Sequence, residues 1–211
     1  MAYDLEEQEK IDAIKAWWAE NGKLVMLGVI AFLLTIAAFQ GWRYYQTQQT
    51  ASAAALYSQL DQAQDGADHK RVRDIAAQLT QNYGSTPYAG MAALAAAKAS
   101  FETGEMDEAR KHLQWALDKA REDEMRDVAR LRLAGLLLDE NKHDEALKLL
   151  AAKPTEAYTA LYADRRGDVL TAQGKPGEAR AEYQLALEKS GPESQYRGLI
   201  EIKLDALGEA K

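Results

Sequence analysis

From Leu24 to Trp42 the chain carries no charged residue, and the run Leu24-Val-Met-Leu-Gly-Val-Ile-Ala-Phe-Leu-Leu-Thr-Ile-Ala-Ala-Phe39 is almost wholly apolar. A stretch of about 20 such residues matches the hydrocarbon thickness of a bilayer. Inside lipid only a helix satisfies every backbone N–H and C=O of a single segment. Residues 23–43 are therefore expected to form one membrane-spanning helix, with a tail over residues 1–22 and a carboxyl-terminal domain over 44–211. A cleaved signal peptide would need a basic leader, a shorter apolar core and a small-x-small cleavage site next to it. Here the leader is acidic, and the first such triplet, Ala51-Ser52-Ala53, comes far beyond the run. Trp17 and Trp18 before it, and Trp42, Tyr44 and Tyr45 after it, resemble the aromatic belts of a membrane interface rather than the flanks of a core helix.

Lys10, Lys15 and Lys23 precede the span, whereas Arg43 follows it closely and the next basic residue is Lys70. Basic residues stay on the cytoplasmic side. The expected topology is a cytoplasmic amino terminus and an exported carboxyl domain in a single-pass membrane protein.

The chain has no cysteine, which excludes a disulfide framework, thiol chemistry and a lipid-attachment cysteine. Its formal charge of −7 divides into −3 over residues 1–23, +1 from Arg43 and −5 over the remainder. Basic residues interleave with acids, as in Asp107-Glu-Ala-Arg-Lys111, which is the pattern of a solvated helix face. A nucleic-acid surface needs clustered Lys and Arg, so no nucleic acid is expected as a partner.

Beyond the span the sequence is dominated by strong helix formers, punctuated by Gly66, Gly84 with Pro87, Gly104, Asn141, Pro154, Gly174 with Pro176, and Gly191 with Pro192. The fold class expected is all-α: an amino-terminal transmembrane helix followed by a solenoid of helical hairpins. Gly104-Glu-Met-Asp-Glu-Ala-Arg-Lys-His-Leu-Gln-Trp-Ala-Leu-Asp-Lys119 aligns with Gly174-Lys-Pro-Gly-Glu-Ala-Arg-Ala-Glu-Tyr-Gln-Leu-Ala-Leu-Glu-Lys189, and Asp144-Glu-Ala-Leu-Lys-Leu-Leu150 lies between them. Ala109, Ala146 and Ala179 recur at a spacing near the ~34 residues of a tetratricopeptide repeat. The clearest repeats span about 90–123, 127–158 and 160–192, with a capping helix at 194–208 and a weaker hairpin over 50–65 and 70–83. Counting back from those alanines, Ala97, Ala134 and Gly167 are the expected points where the two helices of each hairpin approach closely.

The same register places Met91, Leu94, Lys98 and Phe101, then Val128, Leu131, Gly135 and Leu138, then Leu161, Asp164, Asp168 and Thr171 on an expected partner groove. An amphipathic helix or extended peptide fits such a groove, unless the chain's own terminal helices fill it. Asp164-Arg-Arg-Gly-Asp168 reads as a charge network paired within its helix, with a partner-contacting patch as the alternative. His69, His112 and His143 lie in separate segments without partners at metal-ligand spacing, and no phosphate loop, nucleophile elbow or zinc-protease motif occurs. No catalytic residue, metal or cofactor is expected, and the chain is expected to be no enzyme.

The tail Glu6-Glu-Gln-Glu-Lys-Ile-Asp-Ala-Ile-Lys-Ala-Trp-Trp-Ala-Glu-Asn-Gly-Lys23, the exit Gly41-Trp-Arg-Tyr-Tyr45 and the repeat segment Asp164-Arg-Arg-Gly-Asp-Val-Leu170 resemble the YfgM family of ancillary SecYEG translocon subunits. The resemblance covers essentially the whole chain. It implies a single-pass inner-membrane protein with a periplasmic tetratricopeptide-like domain. It also implies association with the SecYEG translocon and with the membrane-anchored periplasmic chaperone PpiD, in support of newly exported client proteins, with membrane lipid around the span. Periodicity and charge alone leave two other roles open. One is a scaffold of another envelope-assembly complex. The other is a regulator acting through the tail, where Leu5, Ile11, Ile14 and Trp18 fall near one helical face.

Overall fold

The computed structural model describes residues 2–208, with side chains described from Glu7 onward. Leu5's side chain and residues 209–211, both touched by the expectations above, lie outside the described residues. The described residues form helices joined by turns, with no strand among them. They divide into two units, 1–48 and 49–211.

The first unit belongs to helix α1, Ala2–Asp65. Its apolar stretch is long enough to cross a membrane, and Leu24, Leu27, Phe32, Leu33, Leu34 and Phe39 are all exposed, as a lipid-facing helix requires. Gly22 is the buried exception, because the Trp18 indole folds back over it: a Cβ there would meet Trp18 Nε1 at 3.1 Å. At the other end the Arg43 guanidinium lies 5.9 Å from the Phe39 ring centre.

In the second unit the carboxyl-terminal part of α1 is followed by α2 (His69–Asn82), α3 (Pro87–Glu102), α4 (Met106–Lys119), α5 (Asp123–Asp139), α6 (His143–Leu150), α7 (Thr159–Ala172), α8 (Pro176–Lys189) and α9 (Arg197–Ala206). One 3-10 turn, Glu156–Tyr158, precedes α7. Among the described residues four hairpins result, each closed in the same way. The backbone N–H of Asp68, Glu105, Lys142 and Lys175 donates to the carbonyl of Ala63, Ser100, Leu137 and Leu170, at 2.8–3.0 Å. The residue before each donor is left-handed: Ala67 (φ 51°), Gly104 (φ 77°), Asn141 (φ 59°) and Gly174 (φ 71°). This is the Schellman closure that satisfies the last carbonyls of a helix. The first hairpin carries the same turn on an alanine, without the glycine or asparagine that marks the others in the sequence.

Each hairpin shares its core with the first helix of the next. Ala53, Leu60 and Ala63 of α1 pack with Val72, Ile75 and Leu79 of α2 and Ala92 and Ala96 of α3. Ala97, Ala109 and Leu113 of the next pair then meet Ala129 and Leu133 of α5. Ala134, Ala146 and Leu150 meet Tyr162 and Val169 of α7, and finally Ala163, Ala179 and Tyr183 meet Ile200 of α9. Stacking of this kind lets a continuous core form from units too small to bury their own apolar faces.

The six small residues of the expected hairpin contacts, Ala97, Ala134, Gly167, Ala109, Ala146 and Ala179, are all buried. At Gly167 the two helices meet tightly, and a Cβ placed there would stand only 2.5 Å from Tyr183 Cε1.

A candidate partner groove

The inner wall of the second unit carries a groove of about 310 Å³ lined by Lys98 and Phe101 of α3, Arg132, Gly135 and Asp139 of α5, and Arg165 of α7, with Ala97, Ala109, Leu113 and Leu136 beneath them. Phe101 is 49 % exposed, a large ring left open to solvent at the edge of the groove. Arg132 reaches back across the α3–α5 seam, its Nη1 donating to the Leu94 carbonyl at 3.1 Å. Gly135 leaves open floor, and a Cβ placed there would come 3.9 Å from Arg165 Nη1.

The structure brings only part of the expected groove set together here. Phe101, Lys98 and Gly135 line the cavity, whereas Leu94 is buried in the core shared by α3, α4 and α5. Val128 packs against that same core, and Leu131 and Leu138 pack against the next one. Met91 and Leu161 are half-buried and are not among the lining residues. Arg132 and Asp139, each one residue beyond an expected position, take the places on the wall. A step of one residue turns a helix by about 100°, so the positions chosen from the sequence include the face that meets the following helix.

At the last repeat that seam is ionic. Lys203 of α9 donates to Asp164 Oδ1 at 2.8 Å and lies 2.7 Å from Asp168 Oδ1, while Tyr183 OH donates to the same Asp168 oxygen at 3.0 Å. Thr171 Oγ1 lies 3.3 Å from Tyr183 OH. The helix-internal pairing expected for Asp164-Arg-Arg-Gly-Asp168 is limited to Arg165 and Asp168, at 3.6 Å. Arg166 instead pairs with Glu182 of α8 at 2.8 Å, and Asp164 with α9. The charges of this cluster thus bind three helices together. Burial holds the Asp164 carboxyl above its ordinary range despite Lys203, and burial likewise raises the Tyr183 phenol.

Among the described residues no group of three His, Cys, Asp or Glu side chains is placed to hold a metal. His69 Nδ1 lies 3.5 Å from Glu102 Oε2, and His143 opens α6. His112 of α4 is half-buried, and burial lowers its imidazole below the usual range. The unfolded chain therefore binds this proton at a higher pH than the fold, so the stability that His112 contributes falls as pH drops through about 6.5 and below. Melting at a series of pH values from about 7.5 to 5.5 should show a smaller acid-side loss for His112→Gln than for the parent. Equal losses would remove His112 from the account.

A family model described as a tetratricopeptide repeat-like domain matches residues 15–209. A protein of Neisseria gonorrhoeae named ancillary SecYEG translocon subunit is 33 % identical, with 98 % of this chain and 100 % of that relative aligned. The chain belongs to the YfgM family. Relatives of the same name from Haemophilus influenzae (30 % identical, 98 % of this chain and 100 % of the relative) and Escherichia coli K12 (28 % identical, 95 % and 96 %) extend the likeness. In each the match covers nearly the whole of both chains.

One feature of this YfgM-family chain was not read from its sequence. Asp127 of α5 is buried with its carboxylate fully engaged. Oδ1 accepts from Tyr162 OH at 2.7 Å and faces Arg130 Nη1 at 3.3 Å, and Oδ2 accepts from the Thr155 backbone N–H and its hydroxyl, both at 2.8 Å. The cause lies in α6, which ends at Leu150 and leaves an irregular segment before α7. Without helical bonds of its own, that segment needs an acceptor from elsewhere, and Asp127 supplies one. Burial pushes the Tyr162 phenol up to about 12, so at neutral pH it stays a donor. The available signal was a charged residue at a register where the neighbouring repeats carry Gly90 and Ala160.

Proposed function

We propose that this chain is a non-enzymatic accessory subunit of the Sec translocon in the inner membrane. Its tail over residues 1–22 is cytoplasmic, its span covers about 23–43, and its hairpin domain is periplasmic. The observation that carries this reading is the near-full-length relationship to proteins named ancillary SecYEG translocon subunit, combined with one helix apolar enough to cross a membrane. The Lys10, Lys15 and Lys23 excess on the amino side supports the orientation. The hairpin domain supplies an inner wall with an open groove, suited to contact with a membrane-anchored periplasmic chaperone such as PpiD or with an emerging client chain. Binding by a solenoid wall needs no chemistry, in keeping with a role in handing exported proteins from the channel to a folding partner.

Affinity capture from mild detergent after crosslinking in cells is expected to recover SecY and PpiD. Intact bait without either would refute the reading. Topology is tested separately: alkaline phosphatase fused after Lys211 should be active and a cytoplasm-only reporter at the same place inactive. The reverse pattern would overturn the orientation, whatever the capture shows.

A further inference from the structure

The inner wall concentrates positive charge in a domain that is acidic as a whole. Three of the groove's lining residues, Lys98, Arg132 and Arg165, are cationic, and Asp139 is the acid among them. Among the described residues, each cation also lacks a tight ionic partner of its own. Lys98 Nζ lies 3.8 Å from Glu102, on a side chain 65 % exposed. Arg132 gives Nη1 to a neutral carbonyl, that of Leu94. Arg165 stands 3.6 Å from Asp168, whose carboxylate is already held by Lys203 at 2.7 Å and by the Tyr183 hydroxyl at 3.0 Å. Gly135 keeps the floor beside Arg165 clear, and the exposed Phe101 ring stands at the edge.

We propose that this groove is the docking site for an extended acidic segment of a partner protein, its carboxylates held by Lys98, Arg132 and Arg165 and an apolar side chain laid against Phe101. This rests on the reading above that the inner wall meets a partner, and it names the chemistry of that partner. Charge complementarity selects acid. Guanidinium groups offer planar forks that match carboxylates, and their bonds to a charged acceptor are about twice as strong as neutral ones. The concavity selects a chain over a flat anionic lipid surface, because the cations line a cleft. The open ring beside them gives an apolar neighbour somewhere to bury its surface.

The test uses the full chain in detergent micelles and fluorescence anisotropy of labelled peptides. One peptide has a central Leu–Phe pair flanked by aspartates, and its isostere has asparagine for every aspartate. The acidic peptide is expected to bind, more weakly as salt rises, with the isostere and the Arg165→Gln variant each at least about tenfold weaker. Gly135→Asp, which places a carboxylate beside Arg165, should abolish binding, while Lys175→Gln, on the turn before α8, should leave it unchanged. Circular dichroism melts of each variant separate lost binding from lost folding. An acidic peptide that does not bind overturns the proposal. So does an isostere that binds equally well, or Arg165→Gln and Gly135→Asp variants that fold and bind like the parent. Sedimentation of the parent and Gly135→Asp adds a further outcome: a dimer lost in the variant would assign the groove to a second copy and reject an acidic partner segment. Translocon capture run beside these titrations keeps the two readings apart. SecY recovered without peptide binding sinks this inference alone, and peptide binding without SecY sinks the accessory-subunit reading alone.

Discussion

Gly167→Ala should lower the melting temperature of the full chain in detergent, although helix propensity alone favours alanine over glycine inside a helix by about 1 kcal/mol. The added methyl would stand 2.5 and 2.6 Å from Tyr183 Cε1 and Cδ1, inside the contact distance of two non-bonded carbons. Tyr183 cannot easily yield. It is 2 % exposed, its hydroxyl is bound to Asp168, and its ring lies 5.8 Å from Lys203 Nζ. Forcing extra volume into a packed core costs about 1 to 3 kcal/mol, occasionally more, so the clash outweighs the propensity gain. Gly167→Leu should cost about 3 kcal/mol, a fall of roughly 6 to 12 °C for a domain of this size. Lys175→Leu, at an exposed site, should stay within about half a kcal/mol of the parent. If both leucine variants melted like the parent, the packing of α7 on α8 described here would be wrong.

Asp127→Ala is expected to be as damaging, by a different route. It removes one acceptor group and strands the Tyr162 hydroxyl and the Thr155 N–H and hydroxyl, and it leaves the Arg130 guanidinium with only its 3.0 Å bond to Tyr162 OH in that network. Removing one partner from a buried charged network typically costs about 3 to 5 kcal/mol, because the groups left behind have lost both water and their mate. Since the Thr155 N–H is only part-buried, about 3 kcal/mol is the expected loss. Asp127→Asn keeps the shape but turns a donor towards donors, so its loss should be smaller, about 1 to 2 kcal/mol. Hydrogen exchange supplies the sharper readout: the Thr155 amide should exchange much faster in Asp127→Ala, with little change at Leu60 or Leu79 in the first core. Unchanged exchange at Thr155 together with a parental melt would refute the anchoring role.

The helical class and the hairpin repeat are legible because their causes are local. Helix formers, turn residues and small residues where backbones meet all recur at one spacing, as at Gly104 and Gly174 or Ala109, Ala146 and Ala179. The face assignment is less legible. Leu94, Leu131 and Asp164 share a register, and an apolar residue there satisfies either an inner wall or a seam with the next helix. The superhelical turn between hairpins decides which, and the sequence does not state that angle. Phe101 lines the wall, whereas Leu94 is buried in the seam. Of the groove's cations, Lys98 falls on the expected face and Arg165 lies in the charge cluster legible from the sequence, whereas Arg132 was hidden for a related reason. It looks like an ordinary solvated charge until α3, α5 and α7 are set side by side. Asp127 answers to the truncation of α6, a tertiary cause that no repeat pattern encodes.

Lys98 and Phe101 stand on α3, whose buried positions include Ala89, Ala92, Ala93, Ala96, Ala97 and Ala99. Alanine has no rotamers to lose, so packing this helix on all its other sides costs almost no side-chain entropy. The long side chains that face solvent from it are attached to a backbone that neighbouring helices hold from several directions. Freedom in this part of the molecule is thereby gathered into a few side chains at the groove. For any ligand that settles there, the protein's own share of the ordering entropy on this helix falls on those side chains, and the backbone behind them is held before the ligand arrives.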